Sequence, residues 1–374
     1  MVAGVALLPS WSAGAAVTDD PTVDAATKAT FQRLADAVFT DRTQALVDDA
    51  KSEAQGQHKQ RTSGFSGKVR LSGTQSSQES SALNELRGRK SRLAKLGEKY
   101  SKAATTVTLD ATQVKGRRAT ADVTETTTLT YEKVKGKEPK TTGFQAHHEL
   151  TFRADRQGNW QLTGIRDTDD GYLAVNQVAK PAVAAAPKTA DDGPPEATRS
   201  ATTWPAPAKP KNFSATGYDY QAMAAYAQKY WNNYNPAYPD FNGHGAGGDC
   251  TNFVSQSLKA GGWKHVPGYT NDFHKWFGNS EIQSDSFVGV NEFSWFALSS
   301  KRVTGLANVY QLDVGDVLQM DFNKDGSKDH SMIVTYRSPQ GVPYVSYHST
   351  NTYNRSVASI IASYPNAAYY AYRT

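Results

Sequence analysis

The chain has 374 residues, enough for two ordinary domains and for a sizeable buried core. Lys plus Arg total 41 against 36 Asp plus Glu, a formal charge of +5. This mildly basic balance could favour an anionic surface, but it lacks the clustered cations interleaved with aromatics that nucleic-acid binding requires. No stretch is apolar enough to be a transmembrane segment, and a single cysteine excludes an internal disulfide.

The opening Met1–Ser10 is short and apolar and is followed by the small residues Ala13-Gly14-Ala15. Although a basic flank is missing, residues 1–15 read as a signal-peptide remnant, which predicts a secreted, extracellular or wall-associated protein. Phe31, Leu34 and Val38 fall at helical spacing and predict a helix over 25–55. Leu83, Leu86, Leu93 and Leu96 predict a second. From Thr105 the period changes to two: Val107 and Leu109 alternate with threonines, as do residues around Val123, Leu129 and Tyr131. Glu149–Arg153 and Trp160–Ile165 then flank the turn Gln157-Gly158-Asn159. Two helices followed by an antiparallel meander make residues 25–170 a small α+β accessory domain. His147 and His148 are adjacent on a predicted strand and should face opposite sides, which argues against a shared metal site.

Residues 178–211 are rich in Ala, Pro, Lys and Thr and read as a linker, so the flanking domains need not share a core. Residues 213–374 form the second domain. Tyr218–Asn233 is a predicted helix, and a loop dense in Gly, Asn and Pro runs to Gly248. A second helix follows, with Asp249 as N-cap and Gly261-Gly262 as its stop. Strands are expected at Val314–Phe322, Ser331–Tyr336 and Tyr344–Tyr347. The tyrosines and tryptophans before the cysteine, and Trp276, Phe277, Trp295 and Phe296, read as core packing.

Cys250 sits in the first turn of that helix, where free N–H groups and the helix dipole lower a thiol pKa. The glycine-rich Gly243–Gly248 stretch allows close backbone approach to a substrate, and the Cys250 N–H is a candidate oxyanion donor. A buried, inert thiol is the ordinary alternative. A nucleophilic thiol needs a base. His330 opens one predicted strand and His348 closes the next. A hairpin centred near Pro339 would set them face to face, and a shift of one residue would put them on opposite faces. The pattern fits His330 as base, oriented by His348, with Asn351 as the fallback for that role.

Gly248-Asp-Cys-Thr-Asn-Phe-Val-Ser-Gln256, Ala260-Gly-Gly-Trp263, Gly315-Asp316-Val, Asp329-His-Ser-Met-Ile-Val334 and Val345-Ser-Tyr-His348 together resemble a bacterial amidase domain. That family is similar to NlpC-like and CHAP cell-wall hydrolases of papain-like fold. The resemblance covers about 160 residues of the C-terminal half. It implies a papain-like α+β domain, Cys250 as nucleophile, His330 as base and His348 as third member. His244, six positions before Cys250, stands where some relatives carry an oxyanion-hole Gln. No cofactor is required on this reading.

Asp321, Asn323, Asp325 and Asp329 have the oxygen spacing of a calcium loop, but the twelfth position is Met332, and a plain Asp325-Gly326 hairpin turn is the simpler reading. The sequence therefore predicts a secreted thiol amidohydrolase acting on a peptide or amide substrate, with a cell-wall peptide as the expected one. The alternatives are a catalytically idle wall-binding module and a secreted protease or transpeptidase.

Overall fold

A computed structural model describes residues 23–47, 69–170, 172–178, 194–243 and 248–374. The expected signal peptide, the 48–55 end of the first predicted helix and His244 lie outside these residues.

Helix α1 (Ala25–Gln44) starts at Asp24, whose carboxylate accepts the Thr27 N–H. It stops well short of the predicted end because Leu46 and Val47 turn inward to the core, where Val47 bridges Tyr100. Strand β1 (Val69–Leu71) and helix α2 (Gly73–Lys95, capped by Ser72) lead into the meander: β2 (Tyr100–Lys115), β3 (Arg118–Tyr131), β4 (Thr141–Ala154) and β5 (Trp160–Asp167). Alternation supplies one buried face. Val123, Leu150, Phe152 and Leu162 pack against Phe31, Leu34 and Val38 of α1.

The C-terminal half contributes α3 (Tyr220–Tyr230), α4 (Cys250–Ala260), α5 (Asp285–Val288), α6 (Val290–Ser299), β6 (Thr304–Leu306), β7 (Val317–Asp321), β8 (His330–Arg337), β9 (Pro343–Tyr347), β10 (Asn351–Ser356), α7 (Val357–Ser363) and β11 (Ala368–Arg373). The mixture of helices and antiparallel strands is α+β throughout. Among the described residues, no helix is long and apolar enough to cross a membrane.

The linker reading left the two halves free to have separate cores, and they share a sheet and a core. Among the described residues, all strands belong to one 11-stranded sheet. Its junction is the antiparallel pair β4–β10, with Asn351 opposite Gln145 and Tyr353 opposite Gly143. Apolar residues from both halves share a core there: Leu86, Tyr100, Leu129 and Phe144 with Tyr344 and Ala362. Part of the predicted linker is also built in. Ala201 bridges Asn308, and Lys211 is buried against Asp316 at 2.7 Å.

His147 and His148 do face opposite sides. His147 pairs with Asp169 at the surface, whereas His148 is buried between Asp167 (2.9 Å) and Glu125 (3.2 Å). Burial alone would lower the His148 pKa, but the hydrogen bonds and charges of Asp167 and Glu125 outweigh it and raise it to about 9. The pair thus stabilises the fold fully below the ordinary imidazole value of about 6.5, and that contribution is lost as pH rises through about 9. His148→Gln should cost about 3–5 kcal/mol near pH 6, because it leaves buried carboxylate charge uncompensated. Thermal unfolding at several pH values checks this: the gap to wild type should narrow above about pH 9. A gap independent of pH would show that His148 acts through packing alone.

Candidate active site

Helix α4 is buried on all sides from Cys250 to Leu258 and lies against one face of the C-terminal part of the sheet. Four of its buried polar side chains hold partners. Thr251 Oγ1 meets Ser331 Oγ (2.9 Å), Asn252 Nδ2 donates to Pro239 O (2.9 Å), Ser255 Oγ accepts from Trp276 Nε1 (3.1 Å), and Gln256 Oε1 accepts from Tyr226 (2.6 Å). This network fixes the depth and rotation of the helix and so the position of Cys250. Gly248 has φ of 89°, and a Cβ there would fall 2.1 Å from Ser349 Oγ, so the turn into the helix requires glycine.

Cys250 lines a cleft of about 310 Å³ between the start of α4, residues 288–292 and Lys328-Asp329 at the start of β8. Asn291 ties the far wall to the hairpin: its Oδ1 accepts the Lys328 N–H (2.9 Å) and its Nδ2 donates to Ser327 Oγ (3.0 Å). The first intrahelical bond of α4 is Phe253 N to Asp249 O, which leaves the first-turn N–H groups, that of Cys250 included, outside the helical ladder. Helix α6, with Gly289 as an N-cap lacking a side chain, opens its N-terminus onto the same cleft.

Asp249 is not the side-chain cap its position predicted. Its carboxylate is drawn away by His348 Nδ1 (2.6 Å) and Asn252 Nδ2 (2.8 Å). His348 Nε2 donates to Tyr230 O (2.7 Å), and the ring lies between Tyr234 and Phe253, with both centroids at 4.0 Å. Both ring nitrogens are engaged, so His348 locks α3 to α4 and is not free to orient another residue. Asn351 accepts from Tyr234 (2.6 Å) on the junction strand β10.

The structure does not bring His330 and His348 together. The β8–β9 hairpin runs one residue off the expected register, with Ile333 opposite Ser346 and Val334 opposite Val345, and it shifts again beside Thr335. The two histidines therefore take opposite faces of the sheet. On β8, Ser331 and Ile333 face α4, whereas Met332 and Val334 belong to the core on the other side. His330 follows the latter phase. It is 1 % exposed, stacked on Tyr172 (4.5 Å, 12°) and edge-on to Tyr347 (4.9 Å, 89°), and its Nε2 has no hydrogen-bond partner. Burial, with the nearby Arg355 cation, pushes its pKa down to about 3.

Asp329 shares the phase of Ser331 and the cleft of Cys250. Its N–H continues the ladder to Met320 O (2.7 Å), and its carboxylate accepts the Phe322 N–H (2.7 Å). Partial burial raises its pKa. The Phe322 bond opposes this, and the charges of Asp321 and Asp325 add to it. The other oxygens of the calcium-like spacing are turned inward as well. Asp321 accepts from Lys324 and Gly326, Asn323 from Asp325, and Asp325 from Ser327, which makes the segment a hydrogen-bonded hairpin turn. Among the described residues, no group of three or more His, Cys, Asp or Glu is placed to hold a metal ion.

The thiol itself departs from expectation. Burial pushes the Cys250 pKa up to about 11, overriding the Ser331 backbone and Thr251 hydrogen bonds that favour thiolate, and the Asp249 charge adds to the rise. Alkylation of the folded protein by iodoacetamide at about pH 8 should be slower than that of free cysteine by an order of magnitude or more. A reaction as fast as free cysteine, or with a midpoint below about 8.5, would show a thiol already activated in the resting protein.

Residues 217–372 match the family model described as "Putative amidase domain". The C-terminal half is amidase-like. The uncharacterized protein YhbB of Bacillus subtilis (strain 168) is 33% identical over 131 residues, which cover 34% of this chain and 40% of that protein. The uncharacterized protein YjcM of the same strain is 32% identical over 151 residues, covering 38% and 33%. The chain thus spans well under two thirds of the length of these curated relatives. A solved structure, the intermembrane space region of chloroplast protein ARC6, aligns with 39% of this chain and 98% of that one, at 17% identity and a TM-score of 0.23, too low to bear on the fold. The amidase-like match contains Cys250, Asp329, His330 and His348.

The sequence offered Asp329 only as a candidate calcium ligand and did not place it in the cleft of Cys250. Both faces of β8 are buried over its first six residues, so alternation gave no phase. The one available signal was Ser331, a small residue of the size a tightly packed helix would demand, and it marks the odd-numbered positions as the α4 side.

Proposed function

We propose that the amidase-like domain hydrolyses an amide bond with the Cys250 thiol as nucleophile and the Asp329 carboxylate as its proton acceptor. The observation that carries this reading is the shared cleft: Cys250 at a helix N-terminus and Asp329 on the adjoining strand line one cavity, while His330 lies on the far face of the sheet. Ser331, whose backbone bonds the thiol, stands two residues from Asp329 on the same side of the strand. Cysteine at the start of a helix packed on an antiparallel sheet also supports a papain-like arrangement.

In the reaction, the Cys250 proton passes to Asp329 as sulfur attacks the amide carbonyl. Negative charge developing on the carbonyl oxygen meets the first-turn N–H groups of α4, with the N-terminus of α6 across the cleft. Collapse breaks the C–N bond, and Asp329 returns its proton to the leaving amine. Water then attacks the thioester carbonyl as the same carboxylate takes its proton, the C–S bond breaks, and Asp329 passes the proton to the departing thiolate, leaving the acid and the free thiol. The raised thiol pKa means that the thiolate forms during attack and is not held in reserve.

A secreted protein with this chemistry would act on peptides outside the cell, and wall peptides are the proposed substrates. The test is to incubate the full chain with a digest of cell-wall peptides and a set of plain peptide amides, and to read products by mass spectrometry. Paired amine and acid products, with an acyl adduct on the Cys250 peptide, are expected. Tight binding of wall peptides with no product and no adduct would instead favour the binding-module reading.

A further inference from the structure

We propose a second site, on the outer face of the N-terminal meander, that binds a phosphate-bearing ligand. Strand register brings Lys115 opposite Arg118, and Arg118 opposite Arg153, so three cations stand in one row across β2, β3 and β4. Directly opposed side chains have Cβ atoms about 5 Å apart, and like charges at that spacing destabilise a sheet. Among the described residues none of the three has a carboxylate partner. Asp155, the carboxylate nearest this end of β4, is occupied by the N–H groups of Gln157 and Asn159, which it caps at 2.9 and 2.8 Å. The acidic pair Asp122–Glu149 lies four positions further along β3 and β4, about 13 Å away at strand rise and beyond a physiological screening length of about 8 Å.

The row borders a cleft of about 400 Å³, and no Asp or Glu lines it. Beside the cations the next row, Gln113, Thr120 and Thr151, adds an amide and two hydroxyls at the same height. Two guanidinium forks and an ammonium match the oxygens of a phosphate, and a dianion balances three cations better than a single carboxylate would. A small ligand of this class fits a cleft of that size. The site is remote from the Cys250 chemistry and does not depend on it.

The test is calorimetric titration of the full chain with inorganic phosphate, with acetate as the carboxylate control, and sedimentation with vesicles containing phosphatidic acid. Phosphate should bind more tightly than acetate by about tenfold or more, and binding should weaken several-fold between about 50 and 200 mM salt. Arg118→Gln with Arg153→Gln should lower phosphate affinity by about tenfold or more and, in the absence of phosphate, raise Tm by relieving the like-charge row. Tighter association with vesicles than with free phosphate would assign the group to a lipid headgroup, and the reverse to a soluble ester. No binding of either probe up to about 10 mM, or equal binding by the double variant, would overturn the site.

Discussion

Cys250→Ala is expected to lower amide turnover by about 10⁴-fold or more while leaving the fold intact, since loss of a covalent nucleophile removes the acyl-enzyme route altogether. Thr251, Asn252, Ser255 and Gln256 hold α4 in place without the thiol, so the variant should keep its cooperative unfolding. Replacing the small buried thiol by a methyl group should cost about 1 kcal/mol. The measurements are product formation under saturating substrate, with Tm as the control for folding, and loss of the acyl adduct on the Cys250 peptide. Cys250→Ser should retain the adduct only weakly, because a hydroxyl in the same place is harder to ionise. Undiminished turnover by the alanine variant would sink the cysteine mechanism and leave hydrolysis, if present, to another group.

The second large effect separates Asp329 from His330. Asp329→Asn keeps an oxygen for the Phe322 N–H but removes the proton acceptor, and kcat should fall by about 10²–10³-fold with little change in KM. In the wild type the carboxylate must be ionised to accept the thiol proton. Activity should therefore decline as pH falls through its raised pKa, and that acid limb should vanish in the asparagine variant. His330→Phe should preserve the stack on Tyr172, remove a buried ring nitrogen that has no partner, and leave kcat within about threefold of wild type. The opposite pattern, an inactive phenylalanine variant beside an active asparagine variant, would return the base to His330 and require β8 to change its face during turnover.

Much of the architecture follows from local pattern. The apolar spacing of Phe31, Leu34 and Val38 makes α1, the threonine-rich alternation makes the long meander strands, and Asp249-Cys250 with Gly261 marks both ends of α4, because the 3.6- and 2-residue periods and the terminal residues are written into neighbouring positions. The helix start at Cys250 was legible for the same reason, since it is a local property.

The rest is set at long range. One residue of hairpin register sends His330 to one face and His348 to the other, and no local preference fixes that register where both faces of a strand are buried. The pairing of Tyr353 with Gly143, more than two hundred residues apart, joins the halves into one sheet that the proline-rich segment between them gave no reason to expect. Whether the Cys250 thiol sits high or low depends on how much water the surrounding structure removes from it. The sequence by itself determined the elements and the place of Cys250 at a helix start. Tertiary structure decided which groups share a cleft with Cys250, because side-chain facing and desolvation arise only when distant strands and helices close around the site.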